Sequence, residues 1–438
     1  MLSNLHDPPP FISTGKFIWE QDIKNVDGII LSIKKDTKEL RELVKSLGHG
    51  VKKEFIQIRE KPTPYYLGKG KIEEIKEYVE KNNIEAVFVN DALRPSQWFN
   101  LEKYLNIPVY DRIRIILEIF ADRAKRKEAQ LQVKLAKLRY EKPFVRELFH
   151  RVKEGERPGF LGGGEYVVAD YYEMIKKQMR RIREELKKIE KEREIRRGKR
   201  KGWGFYLVSI AGYTNAGKSS LLNYLTGEKV VVEERVFSTL STKTSKLKVK
   251  GDVPLLFTDT VGFIKDLPHW MIDAFHSTLE EIYLADVVVL LMDASEELDE
   301  MKEKAFTSLK EIYGLKERPN IVIALNKVDL LKKEEIERKK REMEKLLGHK
   351  CIPISAKTGE NIDLLLQEIY NILPPPSKLE IKLPMNNNKE IIEWIEENTN
   401  ILEWNLDGCL KIKIKCSERL KEKIIGRCRK AGGEVRVI

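Results

Sequence analysis

Apolar positions recur in two rhythms along this chain. Short runs at Ile29-Ile30-Leu31-Ser32-Ile33, Glu85 to Asn90 and Ile107 to Tyr110 predict strands, and Lys38 to Leu47 has the spacing of an amphipathic helix. Their alternation predicts a small α/β domain over residues 1–112. The turn Gly68-Lys69-Gly70-Lys71 is taken as a plain helix entry, with a phosphate contact as the alternative. From Ile113 to Tyr140, and again from Tyr171 to Arg197, the rhythm is helical. Leu131, Leu135 and Leu138 form one seam; Ile175, Met179, Ile182, Leu186 and Ile189 form a second, at alternating spacings of four and three. Two such seams predict an antiparallel hairpin over 113–200, its tip the glycine-rich stretch 157–165.

Strand-like runs return at Phe205 to Ile210, Leu255 to Thr258, Ile321 to Leu325 and Ile352 to Ile354, defining a third domain over 201–374. Leu373-Pro374-Pro375-Pro376 marks a linker. Beyond it, over 377–438, the order strand (379–383), helix (389–397), strand (402–406), strand (410–416), helix (418–430), strand (434–438) predicts a ferredoxin-like α+β domain. Nothing in that last domain suggests catalysis, so docking is its expected role.

Composition narrows the class. With 438 residues, 42% of them hydrophobic, several globular domains are expected. Four cysteines without a C-x-x-C pair predict neither a disulfide framework nor a zinc site, in keeping with a reducing cytoplasm. The first residues lack a signal-peptide pattern, and the apolar stretch at Val287 to Met292 is too short to span a bilayer. No membrane and no DNA partner is expected. The net charge is +12, yet residues 121–200 alone hold 25 Lys and Arg against 14 Asp and Glu. Charge gathered in the hairpin points to a polyanion, RNA; solvated coiled-coil faces are the bland alternative.

The third domain carries the chemistry. Gly212-Tyr213-Thr214-Asn215-Ala216-Gly217-Lys218-Ser219 matches G-x-x-x-x-G-K-[ST] between a strand-like run and a helix opening at Ser220. The glycines let backbone amides point at phosphates, Lys218 reaches the β- and γ-oxygens, and the Ser219 hydroxyl ligates Mg²⁺. Downstream, Asp259-Thr260-Val261-Gly262 supplies a carboxylate for Mg²⁺ and an amide for the γ-phosphate. Asn326-Lys327-Val328-Asp329 follows, and the Asp329 carboxylate can accept from guanine N1–H and its 2-amino group, donors that adenine lacks. Ser355-Ala356-Lys357 can meet guanine O6. In this order, each after an apolar run, the motifs predict one GTP site with Mg²⁺ held by Ser219, Asp259 and Thr239.

Thr239, within Phe237-Ser238-Thr239-Leu240-Ser241, is preferred over Thr242 and Thr244 as the switch threonine. The catalytic set is then Lys218, Thr239 and Gly262. Position 263 is Phe, which cannot orient water, so slow, partner-stimulated hydrolysis is expected; Phe263 also suits a core anchor. Asn215 is a candidate helper for K⁺. The fold class expected is α/β: a P-loop GTPase domain preceded by a small α/β domain with a long helical hairpin and followed by a ferredoxin-like domain.

Asp111-Arg112, Ile119-Phe120-Ala121, Arg123-Ala124, Glu128 and Leu131-Gln132-Val133-Lys134-Leu135-Ala136-Lys137-Leu138-Arg139-Tyr140 resemble the helical-domain signature of the HflX GTPases. The wording of residues 212–219, 237–240 and 259–264 resembles that family too. The resemblance implies a cytoplasmic GTPase on the large ribosomal subunit and its RNA, stimulated there and linked to ribosome splitting or rescue; a monomer is expected. Bacterial members follow the hairpin glycines with a Glu-Thr-Gln-Leu-Glu-like run. Here Glu165 is followed by Tyr166-Val167-Val168-Ala169-Asp170, so the contact chemistry of the tip differs. Two other readings are an RNA-remodelling protein with a regulatory GTPase site, and a G protein whose partner is another protein.

Overall fold

The computed structural model describes residues 25–153, 164–201, 204–227, 243–249, 251–260, 262–264, 268, 270–271, 284–313, 319–384, 389–407 and 409–438. The chain divides into two compact units, Met1–Ile189 with His269–Ala274, and Glu190–Pro268 with Phe275–Ile438.

In the first unit, β1 (Asp27–Ser32), β2 (Gly50–Ile56), β3 (Ala86–Val89) and β4 (Val109–Asp111) form a parallel sheet in the order β2-β1-β3-β4. Central strands β1 and β3 are apolar because both faces are covered. Helix α1 (Lys38–Ser46) turns Leu40, Leu43 and Val44 to the core, and α2 (Lys69–Lys81) turns Ile72, Ile75 and Val79. The Gly68 turn is the entry to α2, as expected. Strand β2 has no counterpart in the sequence reading. As an edge strand it exposes Lys52 and Lys53, and its charges break the apolar run.

After α3 (Pro95–Leu105) come α4 (Arg112–Arg123), α5 (Lys127–Lys153) and α6 (Gly164–Lys201). Leu135, Leu138 and Val145 pack with Ile175, Met179 and Ile182, and Leu131 and Leu186 border them, so the two seams meet as predicted. Both helices run further than the pattern indicated, and α5 continues through Pro143. Most of the predicted tip, residues 157–163, lies outside the described residues.

In the second unit, β5 (Tyr206–Gly212), β6 (Lys243–Leu247), β7 (Leu255–Asp259), β8 (Val287–Asp293), β9 (Asn320–Asn326) and β10 (Cys351–Pro353) build a sheet ordered β10-β9-β8-β5-β7-β6. All neighbours are parallel except β6 against β7. One apolar layer packs Val208, Ile210, Phe257 and Val289 under α7 (Lys218–Thr226) and α10 (Ile362–Ile372). The other packs Val288, Leu290 and Ile323 under α8 (Leu298–Tyr313) and α9 (Lys333–Leu347).

The same unit ends in a second sheet, antiparallel and ordered β12-β13-β11-β14. Its elements are β11 (Ser377–Leu383), α11 (Lys389–Asn398), β12 (Asn400–Asp407), β13 (Cys409–Cys416), α12 (Glu418–Lys430) and β14 (Glu434–Val437). The strand order is that of a split β-α-β pair, the ferredoxin-like outline expected. Strict alternation in β13 buries Leu410, Ile412, Ile414 and Cys416 against Leu420, Ile424 and Cys428 of α12. Lys415 pairs with Asp252, and the Ser417 hydroxyl donates to the Gly204 carbonyl, joining this domain to the preceding one.

A candidate nucleotide site at the strand ends

Strand β5 ends in Gly212, whose φ of +147° and whose closeness to Leu291 leave no room for a side chain: a Cβ there would lie 2.2 Å from the Leu291 carbonyl oxygen. The chain then turns over residues 213–217, with Asn215 at φ +64° and Gly217 at +95°, before α7 begins at Lys218. A Cβ on Gly217 would sit 2.2 Å from Asn326 Nδ2, so this glycine is required by close approach as well as by φ. The loop therefore presents its amides beside a helix N-terminus, an arrangement suited to anions.

Lys218 is 7% exposed, and its Nζ donates to the carbonyls of Gly212 (3.1 Å) and Tyr213 (2.7 Å). Burial pushes its ammonium down to about 8, while the Asp259 carboxylate acts in the opposite sense. At the head of α7 the Ser219 hydroxyl donates to Asp259 Oδ2 at 2.8 Å, which joins the start of α7 to the end of β7. Ser219 and Asp259 offer adjacent hard oxygens, the donor type Mg²⁺ prefers when phosphates and water complete its shell. Among the described residues no cluster of three or more His, Cys, Asp or Glu side chains could hold a metal by itself.

Thr260 is buried and its hydroxyl donates to the Ile210 carbonyl, tying the residue after β7 to β5. Gly262 lies against the loop: a Cβ on it would be 2.9 Å from both Lys218 Nζ and the Thr214 amide. Phe263 N donates to the Gly212 carbonyl and Thr214 N to the Phe263 carbonyl, so a short parallel bridge ties Tyr213 to Phe263. The Phe263 ring is 7% exposed and packs with Tyr213 and Met292. It is a core anchor and presents no polar group to the loop.

The far side of the site is held by Asn326. Its Nδ2 donates to the Ala216 carbonyl at 2.7 Å, and its Oδ1 accepts from the Ala356 amide at 2.8 Å. Asp329 is exposed, and its Oδ1 accepts from the Ser355 hydroxyl at 2.7 Å, which leaves a carboxylate edge facing solvent. Lys327, at φ +68°, pairs with Asp293 at the end of β8. Asp293 was absent from the sequence reading, although a carboxylate closing the apolar run 287–292 was the available signal. Lys357 is exposed beside Ala356, and Ser220 continues α7.

The structure thus gathers Gly212 to Ser220, Asp259, Thr260, Gly262, Asn326, Lys327, Asp329 and Ser355 to Lys357 at one edge of one sheet. Phe237, Ser238, Thr239, Leu240, Ser241 and Val261 lie outside the described residues. Thr244, weighed against Thr239, sits in β6 with its hydroxyl 2.9 Å from that of Thr258. No helix among the described residues is long and apolar enough to cross a membrane.

The chain is similar to known proteins. A family described as "GTP-binding GTPase N-terminal" matches residues 34–121, "GTP-binding GTPase Middle Region" matches 123–200, and "50S ribosome-binding GTPase" matches 207–327. A GTPase HflX of Thermococcus kodakarensis is 43% identical over 354 residues, covering 79% of this chain and 78% of that protein. The GTPase HflX of Methanocaldococcus jannaschii is 42% identical over 374 residues, covering 84% and 90%. A solved GTP-binding protein from Sulfolobus solfataricus, in complex with GDP, is 27% identical, with a TM-score of 0.44 and coverage of 80% of this chain and 98% of that one.

Proposed function

The chain belongs to the HflX family of GTPases, a GTP-binding enzyme that hydrolyses GTP, and from that premise we propose that it is a cytoplasmic switch acting on the large ribosomal subunit. The observation that carries this reading is the gathering of positive charge in the helical hairpin of a chain that also holds a nucleotide site. Phosphates of ribosomal RNA are the partner such a surface fits. One copy engages the subunit, and its role lies in splitting, rescue or assembly of ribosomes.

Within the site, the residue roles follow from chemistry. Backbone amides of 213–219 receive the phosphates, and Lys218 exchanges its two carbonyl partners for the β- and γ-oxygens. Gly262 has space for a γ-phosphate only while it carries no side chain. Asp329 accepts from the guanine edge, with Ser355 fixing its rotamer, and Ala356 and Lys357 border O6. Mg²⁺, held by Ser219, Asp259 and Thr239, would neutralise charge on the phosphates. Asn215 is the residue beside which K⁺ would assist; equal turnover in Na⁺ and K⁺ removes that role.

Because Phe263 packs in the core, the chain itself offers no side chain there to orient water. Intrinsic hydrolysis is accordingly slow and rises when the partner completes the site. The test is phosphate release with and without purified large subunits, beside co-sedimentation over a salt series with a GTP analogue and with GDP. Stimulation, and binding that falls steeply with salt, support the reading; unstimulated turnover would favour RNA remodelling with a regulatory site, and salt-insensitive binding would favour a protein partner.

A further inference from the structure

Among the described residues strand β12 pairs with β13 alone and is the edge of the C-terminal sheet. Five consecutive residues, Leu402 to Leu406, are exposed, and three of them are large and apolar: Leu402 (43%), Trp404 (45%) and Leu406 (58%). A bulge between Ile401 and Glu403 resets the register, after which Trp404 lies opposite Ile412 and Leu406 opposite Leu410. Both partners are buried in the layer under α11 and α12, so the apolar face of the sheet continues past its helices onto an open edge. Edge strands are commonly blunted by lysine, proline or a bulge; residues 400–407 contain neither lysine nor proline, and the bulge lies at Leu402, ahead of the regular stretch Glu403 to Asp407.

About Trp404 the edge carries one matching pair, Leu402 and Leu406, with Glu403 and Asn405 between them and the tryptophan. We infer that β12 is an interface between two copies of the chain, paired antiparallel about a two-fold axis at Trp404. In that register the two Trp404 rings are neighbours, Leu402 faces Leu406 of the partner subunit, and Glu403 faces Asn405 of the partner subunit. Opposed residues must share a sheet face, so the neighbouring registers are centred on Glu403 or Asn405. The first sets Glu403 against its own copy, and the second sets Glu403 against Asp407; like charges opposed across strands are destabilising. All three registers pair apolar with apolar (Leu402 with Leu406, Leu402 with Trp404, or Trp404 with Leu406), and of these the Trp404 register alone opposes no two acids. The symmetry is isologous and closes at two copies.

One pair of eight-residue strands buries less than a standard interface, so association is weak, with a dissociation constant of roughly tens of micromolar. Below that range the chain is the monomer expected from the sequence. The inference does not rest on the ribosomal reading, because it is measured on the free protein. Sedimentation of the full chain from about 1 to about 200 µM should show the mass climbing from one copy towards two. L402K/L406K, which opposes lysine to lysine, should hold the mass at one copy, and L406K alone should weaken association. L402K/L406E should regain it, because each introduced lysine faces an introduced glutamate. Both positions are exposed, and GDP binding and near-ultraviolet circular dichroism check the fold. A mass of one copy throughout for the unaltered chain overturns the inference. So does association that survives in L402K/L406K, or a charge-swapped variant no better than the double lysine.

Discussion

Two sheets in this chain, one parallel and one parallel but for β6, place polar residues at the carboxyl ends of their strands, and one of them opens those ends to a ligand. In the first unit Asn90 Nδ2 donates to Ser32 Oγ and to the Asp36 carbonyl, while Asp111 accepts from the Leu93 and Arg114 amides at 2.9 and 2.8 Å. Asp111 is fully buried, caps α4, and has its oxygens directed at its own chain. In the second unit, Ser219 donates to Asp259, Asn326 joins Ala216 to Ala356, and Asp329 accepts from Ser355, but these bonds surround a glycine-containing loop whose Thr214, Asn215, Gly217 and Ser219 stay partly exposed. Similar layers of strand and helix therefore yield a structural cap in one place and an anion cradle in the other. The loop decides, not the architecture.

The contrast can be broken by substitution. Lys218→Ala should lower single-turnover GTP hydrolysis by roughly 10³-fold, since it removes a buried cation placed to meet the transferring charge; phosphate release measures it. Asp329→Asn should weaken GDP binding roughly 100-fold while leaving thermal stability near that of the parent, as expected for an exposed carboxylate that serves the ligand; isothermal titration and a melt report both. Asp111→Ala should do the reverse. Losing an N-cap acceptor and stranding two buried amides costs about 3 kcal/mol, a clear fall in the melting temperature, with the GDP affinity of the folded protein unchanged.

The smallest effect concerns pH. Burial holds the Lys218 ammonium down at about 8, against an ordinary 10.5. Between those values the unfolded chain binds more protons than the folded one, so the contribution of this group to stability improves as pH rises through the window. Phosphates would restore the charge, so binding takes up a proton there. GDP affinity should therefore fall above pH 8, by at most roughly tenfold per unit, with the slope absent in Lys218→Ala. A flat profile in the parent would mean that Lys218 keeps its charge without the nucleotide.

Legibility from sequence followed the same physics. Motifs tied to backbone geometry were readable because Gly212, Gly217 and Asn326 are fixed by close approach, and runs such as Ile321 to Leu325 declare a strand covered on both faces. Strand β2 was not readable, since a half-exposed edge carrying Lys52, Lys53 and Glu54 has neither an apolar run nor a strict alternation. Helix α5 was under-read because Pro143 is a strong local stop that packing of Phe144 and Val145 overrides. Asp293 escaped because its partner, Lys327, is set by tertiary structure alone. The pairing of β12 with itself was invisible until its neighbours and exposure were known.

Asn326 reaches across the site with one carboxamide, its nitrogen on the Ala216 carbonyl and its oxygen on the Ala356 amide. The two ends of a bound nucleotide would thus rest on loops that share a side chain. Guanosine and pyrophosphate, offered as separate fragments, should then reinforce each other's affinity by equal factors, as thermodynamic reciprocity demands. A chemist seeking an inhibitor here would gain more from a ligand spanning both loops than from perfecting either half.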